Sequence, residues 1–114
     1  MSQSDSIAPF PGLHEFEAGD YDRALPLLLI VAQDGHAEAQ CMMGCIYQLG
    51  LGSVAPDFQA AIAWYNRAAA QGYGVDSNNL AGMYLSGAGV PANRDRSRQL
   101  YKQAQAQGFI GGRA

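Results

Sequence analysis

The chain repeats itself along its length, and this repetition constrains its fold more than any other feature. Three similar stretches rich in alanine and glutamine end at Gly35, Gly72 and Gly108, at intervals of 37 and 36 residues. Other positions recur in the same register, and the aligned sets are Ala24, Ala61 and Ser97, then Leu27, Trp64 and Leu100, then Leu28, Tyr65 and Tyr101. A period of this length is typical of a stacked array in which each unit buries its apolar face against its neighbours. Such an array favours binding over catalysis.

Apolar spacing and turn residues predict that the repeated units are helical. Apolar residues recur three and four positions apart, as on one face of a helix. Asp20, Asp57 and Asn93 are predicted N-caps, and glycines end the helices. The predicted helices cover residues 12–18, 21–34, 37–49, 58–71, 76–86 and 94–107. Together they form an all-α, right-handed superhelical stack of antiparallel helix pairs.

The predicted domain covers residues 12–108 and holds about two and a half units, near 35–71 and 72–108. Pro9 and Pro11 oppose an early helix, so residues 1–11 are expected to form a flexible lead. Residues 109–114 are expected to form a frayed tail.

Charge is distributed unevenly along the chain. Residues 1–57 hold eight acids and one base, whereas residues 58–114 hold two acids and six bases, giving net charges near -7 and +4. Because sequence order becomes spatial order in a linear array, one end is expected to be acidic and the other basic. This polarity is compatible with two solvated ends, a partner of matching polarity, or head-to-tail self-association. The basic half lacks interleaved base-stacking aromatics, which argues against nucleic-acid binding.

The sequence predicts neither membrane insertion nor secretion. The longest apolar run, Leu25 to Ala32, is interrupted by Pro26 and falls well below the roughly 18 residues that span a bilayer. The first residues lack the basic start and apolar stretch of a signal peptide. The two cysteines do not form the pattern of a disulfide framework. We therefore expect a cytoplasmic protein.

The segment GHAEAQCMMGCIYQLGLGSVAPDFQAAIAWYNRAAAQG, residues 35–72, resembles a unit of the Sel1-like repeat family, a relative of the tetratricopeptide repeats. A second unit follows in register to Gly108 and matches less completely. Asp76 departs from the pattern because it stands where the first unit has the small residue Ala39. This departure predicts a shorter or displaced start for the helix that follows Gly72.

The resemblance implies an adaptor that binds another protein or peptide. In the related arrays, the first helix of each unit lines the concave face. By that resemblance the predicted partner-binding residues are Pro26, Leu29, Ile30, Ala63, Asn66, Arg67, Gln99, Lys102 and Gln103. Leu29 and Ile30 are apolar although they lie off the core stripe. Either they belong to a binding surface or the N-terminal segment folds over them through Ile7, Phe10, Leu13 and Phe16.

No arrangement of residues in the sequence predicts catalysis, a metal or a cofactor. Cys41 and Cys45 share one helix face, but a disulfide between them fits helical geometry poorly, and a metal site needs about four ligands. His36 follows the turn glycine and is expected to start a helix, and His14 lies on a short exposed segment. We therefore predict a non-enzymatic, bacterial protein-binding module. The alternatives are an immunity or inhibitor protein that neutralises a toxin or enzyme, and a self-associating protein, including a homodimer.

Overall fold

The computed structural model describes residues 9–72, 74–88 and 90–108, which form six α-helices and no β-strand. The helices are α1 (Leu13–Glu17), α2 (Tyr21–Gln33), α3 (Ala37–Leu49), α4 (Phe58–Ala70), α5 (Gly74–Ser86) and α6 (Arg94–Ala106). Each helix packs against the next one in the sequence. The all-α prediction is confirmed. Among these helices, none is both long and apolar enough to cross a membrane.

Side-chain caps fix the starts of three helices. Asp57, Asn93 and His36 each accept a hydrogen bond from the backbone N–H three residues later, at 3.1, 2.9 and 3.2 Å. Asp20 occupies the predicted N-cap position of α2, but its side chain makes no capping hydrogen bond. Its carboxylate instead lies 3.6 Å from the Arg23 guanidinium, one turn further along α2.

The start of α5 also differs from the prediction. This helix begins at Gly74, two residues before the predicted start at 76, so it is neither shortened nor displaced by Asp76. Asp76 occupies the first turn, where an acidic side chain is compatible with the positive end of the helix dipole. The helix therefore forms despite the departure from the repeat pattern, and Asp76 is fully buried within it.

Two apolar clusters form the core, and α4 contributes to both. The first cluster joins α2 and α3 through Ala24, Leu28, Ala32, Ala39, Met42, Met43 and Ile46. The second joins α4, α5 and α6 through Ala61, Ile62, Tyr65, Ala69, Leu80, Ala81, Met83 and Leu100. Trp64 packs against the first cluster whereas Tyr65 belongs to the second. Adjacent positions on one helix therefore connect successive layers of the stack.

The N-terminal segment covers part of α2. Phe10, Leu13 and Phe16 pack against the same cluster as Leu29, and the Phe10 ring lies 4.2 Å from the ring of His36. Leu29 is consequently half-buried. This packing favours the interpretation in which the N-terminal segment folds over α2. Ile7 and the rest of residues 1–8 lie outside the described residues, as do residues 109–114, so the boundaries of the lead and tail stay predictions.

Gly44 allows α3 and α4 to approach closely. A Cβ atom at this position would lie 2.5 Å from Cδ1 of Tyr65, well inside contact distance. The Tyr65 side chain is 1% exposed, and its hydroxyl donates a hydrogen bond of 2.7 Å to Oε1 of Gln48. The ring is therefore held in place and cannot move aside without losing that bond.

Glutamine amides tie each unit to the helix that precedes it. In the first unit, Nε2 of Gln40 donates to the carbonyl of Ala32 at 2.9 Å, and Oε1 of Gln40 accepts from Nε2 of Gln71 at 2.8 Å. We call this set of bonds the amide latch. It joins the end of α2, the start of α3 and the end of α4.

The second unit contains an equivalent latch made from different side chains. Nε2 of Gln107 donates directly to the carbonyl of Ala69 at 3.1 Å, and Oε1 of Gln107 accepts from the hydroxyl of Ser77 at 2.8 Å. Ala69, Ser77 and Gln107 occupy the repeat positions of Ala32, Gln40 and Gln71. The shorter serine leaves room for the glutamine to reach the carbonyl itself.

We expect Gln40→Leu to lower the free energy of unfolding by about 1–3 kcal/mol, because it removes both bonds of a side chain that is only 2% exposed. Urea denaturation followed by circular dichroism measures the change. Gln105→Leu, at an exposed position on α6, is the matched control and should change stability by less than about 0.5 kcal/mol. Equal effects of the two substitutions would show that the latch does not stabilise the fold.

Candidate partner-binding site

The nine residues predicted to bind a partner lie on α2, α4 and α6. Seven of them are exposed: Pro26, Ile30, Ala63, Asn66, Arg67, Gln99 and Lys102. Leu29 and Gln103 are half-buried. Ile30 is a large apolar side chain that is 62% exposed. The guanidinium of Arg67 lies 4.5 Å from the ring centre of Trp64, a cation–π contact that orders it on the surface of α4.

A separate cleft of about 280 Å³ opens where α3, α5 and α6 meet. Its walls carry mainly amide and hydroxyl groups, which can bond both donors and acceptors of a peptide backbone. The lining residues are Gln48, Asn78, Asn79, Gly82, Met83, Ser86, Ala88 and Tyr101. A Cβ atom at Gly82 would meet no atom within 4 Å, so open space lies above the helix at this point.

Tyr65 of α4 holds the Gln48 side chain in place in the cleft. Its Oε1 accepts the 2.7 Å hydrogen bond from the Tyr65 hydroxyl, and Tyr65 is anchored in the core of α4 to α6. Its amide NH₂ group can then donate to a ligand. The rigid tyrosine therefore pre-positions one polar group of the cleft, which reduces the entropy lost on binding.

Three ionisable side chains of α3 and α5 lie close together: Cys41, Cys45 and Asp76. Asp76 is fully buried, and neither of its carboxylate oxygens has a hydrogen-bond partner among the described residues. Burial is the main cause that raises the pKa of Asp76 to about 7. The nearby Cys41 thiol opposes this rise, and the nearby charges of Cys45 and Glu38 contribute to it. The Asp76 carboxyl therefore holds a proton over a far wider pH range than an exposed aspartate.

The thiols of Cys41 and Cys45 lie one turn apart on α3 and perturb each other. Their interaction raises the pKa of Cys41 and lowers that of Cys45. The Tyr65 hydroxyl lies 3.5 Å from Sγ of Cys45, but its shorter bond to Gln48 is the stronger one. Within residues 9–72, 74–88 and 90–108, no three His, Cys, Asp or Glu side chains are arranged to hold a metal ion.

These layers and their polar cleft define a helical-repeat scaffold. The model of the Sel1 repeat family matches residues 37–73 and 77–109, more than half of the sequence. The chain belongs to the Sel1 repeat family, and the predicted resemblance is confirmed. Proteins of this family generally mediate contacts between proteins, and their fold is typically a non-enzymatic scaffold.

Relatives share the repeat region and are much longer. Chitin synthase regulatory factor 3 of Schizosaccharomyces pombe is 36% identical over 77 residues, which cover 66% of this chain and 8% of that protein. A Sel1 repeat protein from Oxalobacter formigenes has a TM-score of 0.79 and 30% identity, over 84% of this chain and 39% of its own. The protective antigen c5321 of uropathogenic Escherichia coli strains, which displays an SLR fold, has a TM-score of 0.70 and 34% identity, over 75% and 18%. The chain spans less than half the length of each relative.

The matched units begin near Ala37 and Ser77, in the same phase as the predicted units near 35–71 and 72–108. Their first helices are α3 and α5, and their second helices are α4 and α6. The nine predicted residues lie on α2, α4 and α6, and their role in binding stays a prediction. Sequence reasoning missed the cleft residues of α3 and α5. The adjacent asparagines Asn78 and Asn79 offered a signal, since they replace Cys41 and Met42 of the preceding unit.

Proposed function

We propose that this protein is a binding scaffold that grips an extended segment of a partner protein in the cleft between α3, α5 and α6. The observation that carries the proposal is the lining of this cleft, where Gln48 of one unit faces polar residues of the next. Side-chain amides can bond the N–H and C=O groups of a peptide without requiring a particular sequence. The regulatory role in the name of the yeast relative fits a protein that acts by binding. The bacterial and cytoplasmic setting stays a prediction.

The exposed face of α2, α4 and α6 is a second candidate surface. It carries the nine residues predicted from the sequence, and its arginine and aromatic contact at Arg67 and Trp64 is of a kind enriched in protein interfaces. The face differs from the cleft in lying on second helices. Variants can therefore separate the two surfaces, since each can be changed without touching the other.

Asn78→Arg and Asn66→Arg test the two surfaces with the same chemical change. Asn78 lines the cleft, whereas Asn66 is exposed on α4. The wild-type protein is used to retain a partner from source-cell lysate, and that partner is identified, purified and titrated by calorimetry. We expect Asn78→Arg to weaken binding by at least about tenfold and Asn66→Arg to change it by less than about twofold.

The reverse ranking would place the site on the face of α2, α4 and α6, and equal affinity of both variants for the partner would contradict both assignments. Circular dichroism of each variant confirms that it is folded. A tight one-to-one complex that abolishes the activity of a toxin or enzyme would instead support the inhibitor alternative.

A further inference from the structure

The α6 end of the stack exposes large apolar side chains. Leu85 and Tyr101 are 53% and 38% exposed. They line a second cleft, of about 190 Å³, together with Arg94, Ser97 and Arg98. Apolar groups that are open to water and rimmed by charged ones are typical of a surface that another molecule covers.

The repeat shows how such a surface is used inside the array. Tyr101 stands in the position of Tyr65, which is 1% exposed, and Arg98 stands in the position of Ile62, which is 9% exposed. Both α4 residues belong to the cluster that α4 shares with α5 and α6. At the α6 end, the corresponding surface keeps one apolar group and gains a positive one. Its natural complement is an apolar side chain accompanied by carboxylates.

The opposite end of the same chain carries that complement. In α1, Glu15 and Glu17 flank Phe16 in the sequence. The Phe16 ring is half-buried, since it packs on the α2–α3 cluster and lies edge-on to Tyr21 at 5.3 Å, and its uncovered part is open to a second molecule. The wider charge pattern agrees. Residues 13–34 hold Glu15, Glu17, Asp20, Asp22 and Asp34 against Arg23, whereas α6 holds Arg94, Arg96, Arg98 and Lys102 against Asp95.

The existing ion pair at the α6 end does not block this contact. Arg98 lies 3.3 Å from Asp95, and the two side chains are 66% and 88% exposed. An exposed pair of this kind contributes little free energy, and Arg98 can exchange it for another carboxylate.

We propose that a second copy of this chain docks head to tail, with the Glu15–Phe16–Glu17 segment of one copy in the cleft between Leu85 and Tyr101 of the other. Phe16 supplies the apolar contact, and the two glutamates face Arg94 and Arg98. The contact is heterologous, so a pair of copies keeps one unused segment and one unused cleft and can add further copies. Because the attraction is between surface charges, salt weakens it.

Two charge-reversed variants of this chain test the arrangement. Arg94→Glu/Arg98→Glu gives the cleft the same negative sign as the 15–17 segment, and Glu15→Lys/Glu17→Lys gives that segment the same positive sign as the cleft. Sedimentation velocity measures the association of each variant alone, of their equimolar mixture and of the wild type, at about 20 mM and about 500 mM salt. Circular dichroism checks that each variant is folded.

We expect the wild type to associate at low salt and to dissociate at high salt. Each variant alone should be monomeric at concentrations where the wild type associates, and the mixture should associate again. The proposal is overturned by a wild type that stays monomeric at low salt and millimolar concentration, by variants that associate as the wild type does, or by a folded mixture that does not recover association. Tyr101 lines both clefts, but the peptide-binding cleft contains none of the four reversed residues, so these variants test the head-to-tail contact separately.

Discussion

Asp76→Asn is expected to stabilise the protein at pH 8.5 and to remove much of the pH dependence of its unfolding. The pKa of the buried Asp76 carboxyl is about 7 in the folded protein, against an ordinary value of 3.8. Between these two values the folded state binds more protons than the unfolded state, so the free energy of unfolding falls as the pH rises through this range. Above pH 7 the full cost of the buried charge is present, and the shift corresponds to about 4 kcal/mol. At pH 4 the carboxyl is largely protonated in the folded protein, and that cost is small.

The measurement is the difference in free energy of unfolding between Asp76→Asn and the wild type at several pH values from about 4 to about 8.5. The difference cancels the titration of groups that both proteins share. Asp95→Asn, which changes an exposed aspartate of α6, is the control and should give a small, nearly constant difference. A wild type whose stability does not fall with pH relative to Asp76→Asn would contradict the assignment of a buried, protonated carboxyl.

Gly44→Ala is the second substitution with a large expected effect, a net loss of about 1–2 kcal/mol. The added methyl group would overlap the ring of Tyr65, with Cδ1 at 2.5 Å and Cε1 closer still. Overpacking of this kind typically costs 1–3 kcal/mol, and it exceeds the gain of about 1 kcal/mol that alanine brings to a helix interior. Chemical denaturation provides the measurement.

Gly82→Ala is the matched control, because Gly82 is also a helical glycine but a Cβ atom there would meet nothing within 4 Å. We expect it to stabilise the protein by about 0.5–1 kcal/mol. The two substitutions therefore carry opposite signs. Stabilisation by both would mean that α3 and α4 can separate at no cost and that Gly44 does not set their distance.

Local signals in the sequence predicted most of the fold. Asp57 and Asn93 cap helices where the sequence placed them, and Gly35 ends α2 with a positive φ of 102°. These features depend on a few neighbouring residues. The start of α5 depended on more distant residues, since the Asp76 carboxyl is buried near Cys41 and Cys45, where burial raises its pKa to about 7. That packing is not visible in a repeat pattern.

The candidate site was harder to predict than the fold because it arises between units. The cleft combines Gln48 with Asn78 and Tyr101, which are 30 and 53 positions further along the chain. Seven of the nine residues predicted from the sequence are exposed, and their role in binding stays a prediction. For Leu29 the sequence left two alternatives open, a binding surface or coverage by the N-terminal segment. The residues that decide between them, Phe10 and Leu13, pack on the same cluster as Leu29 but lie outside the repeat.

The amide latch of each unit makes several repeat positions depend on one another. Gln40 and Ser77 occupy the same repeat position, although their side chains differ. Gln40 with Gln71, and Ser77 with Gln107, each complete the hydrogen bonds to the equivalent backbone carbonyl, of Ala32 or Ala69. The two units therefore share a complete set of paired donors and acceptors, although different residues supply it. A unit grafted into another array should carry all the residues of this set. If only one repeat position were exchanged, a glutamine would either lie too far from its carbonyl or compete for it.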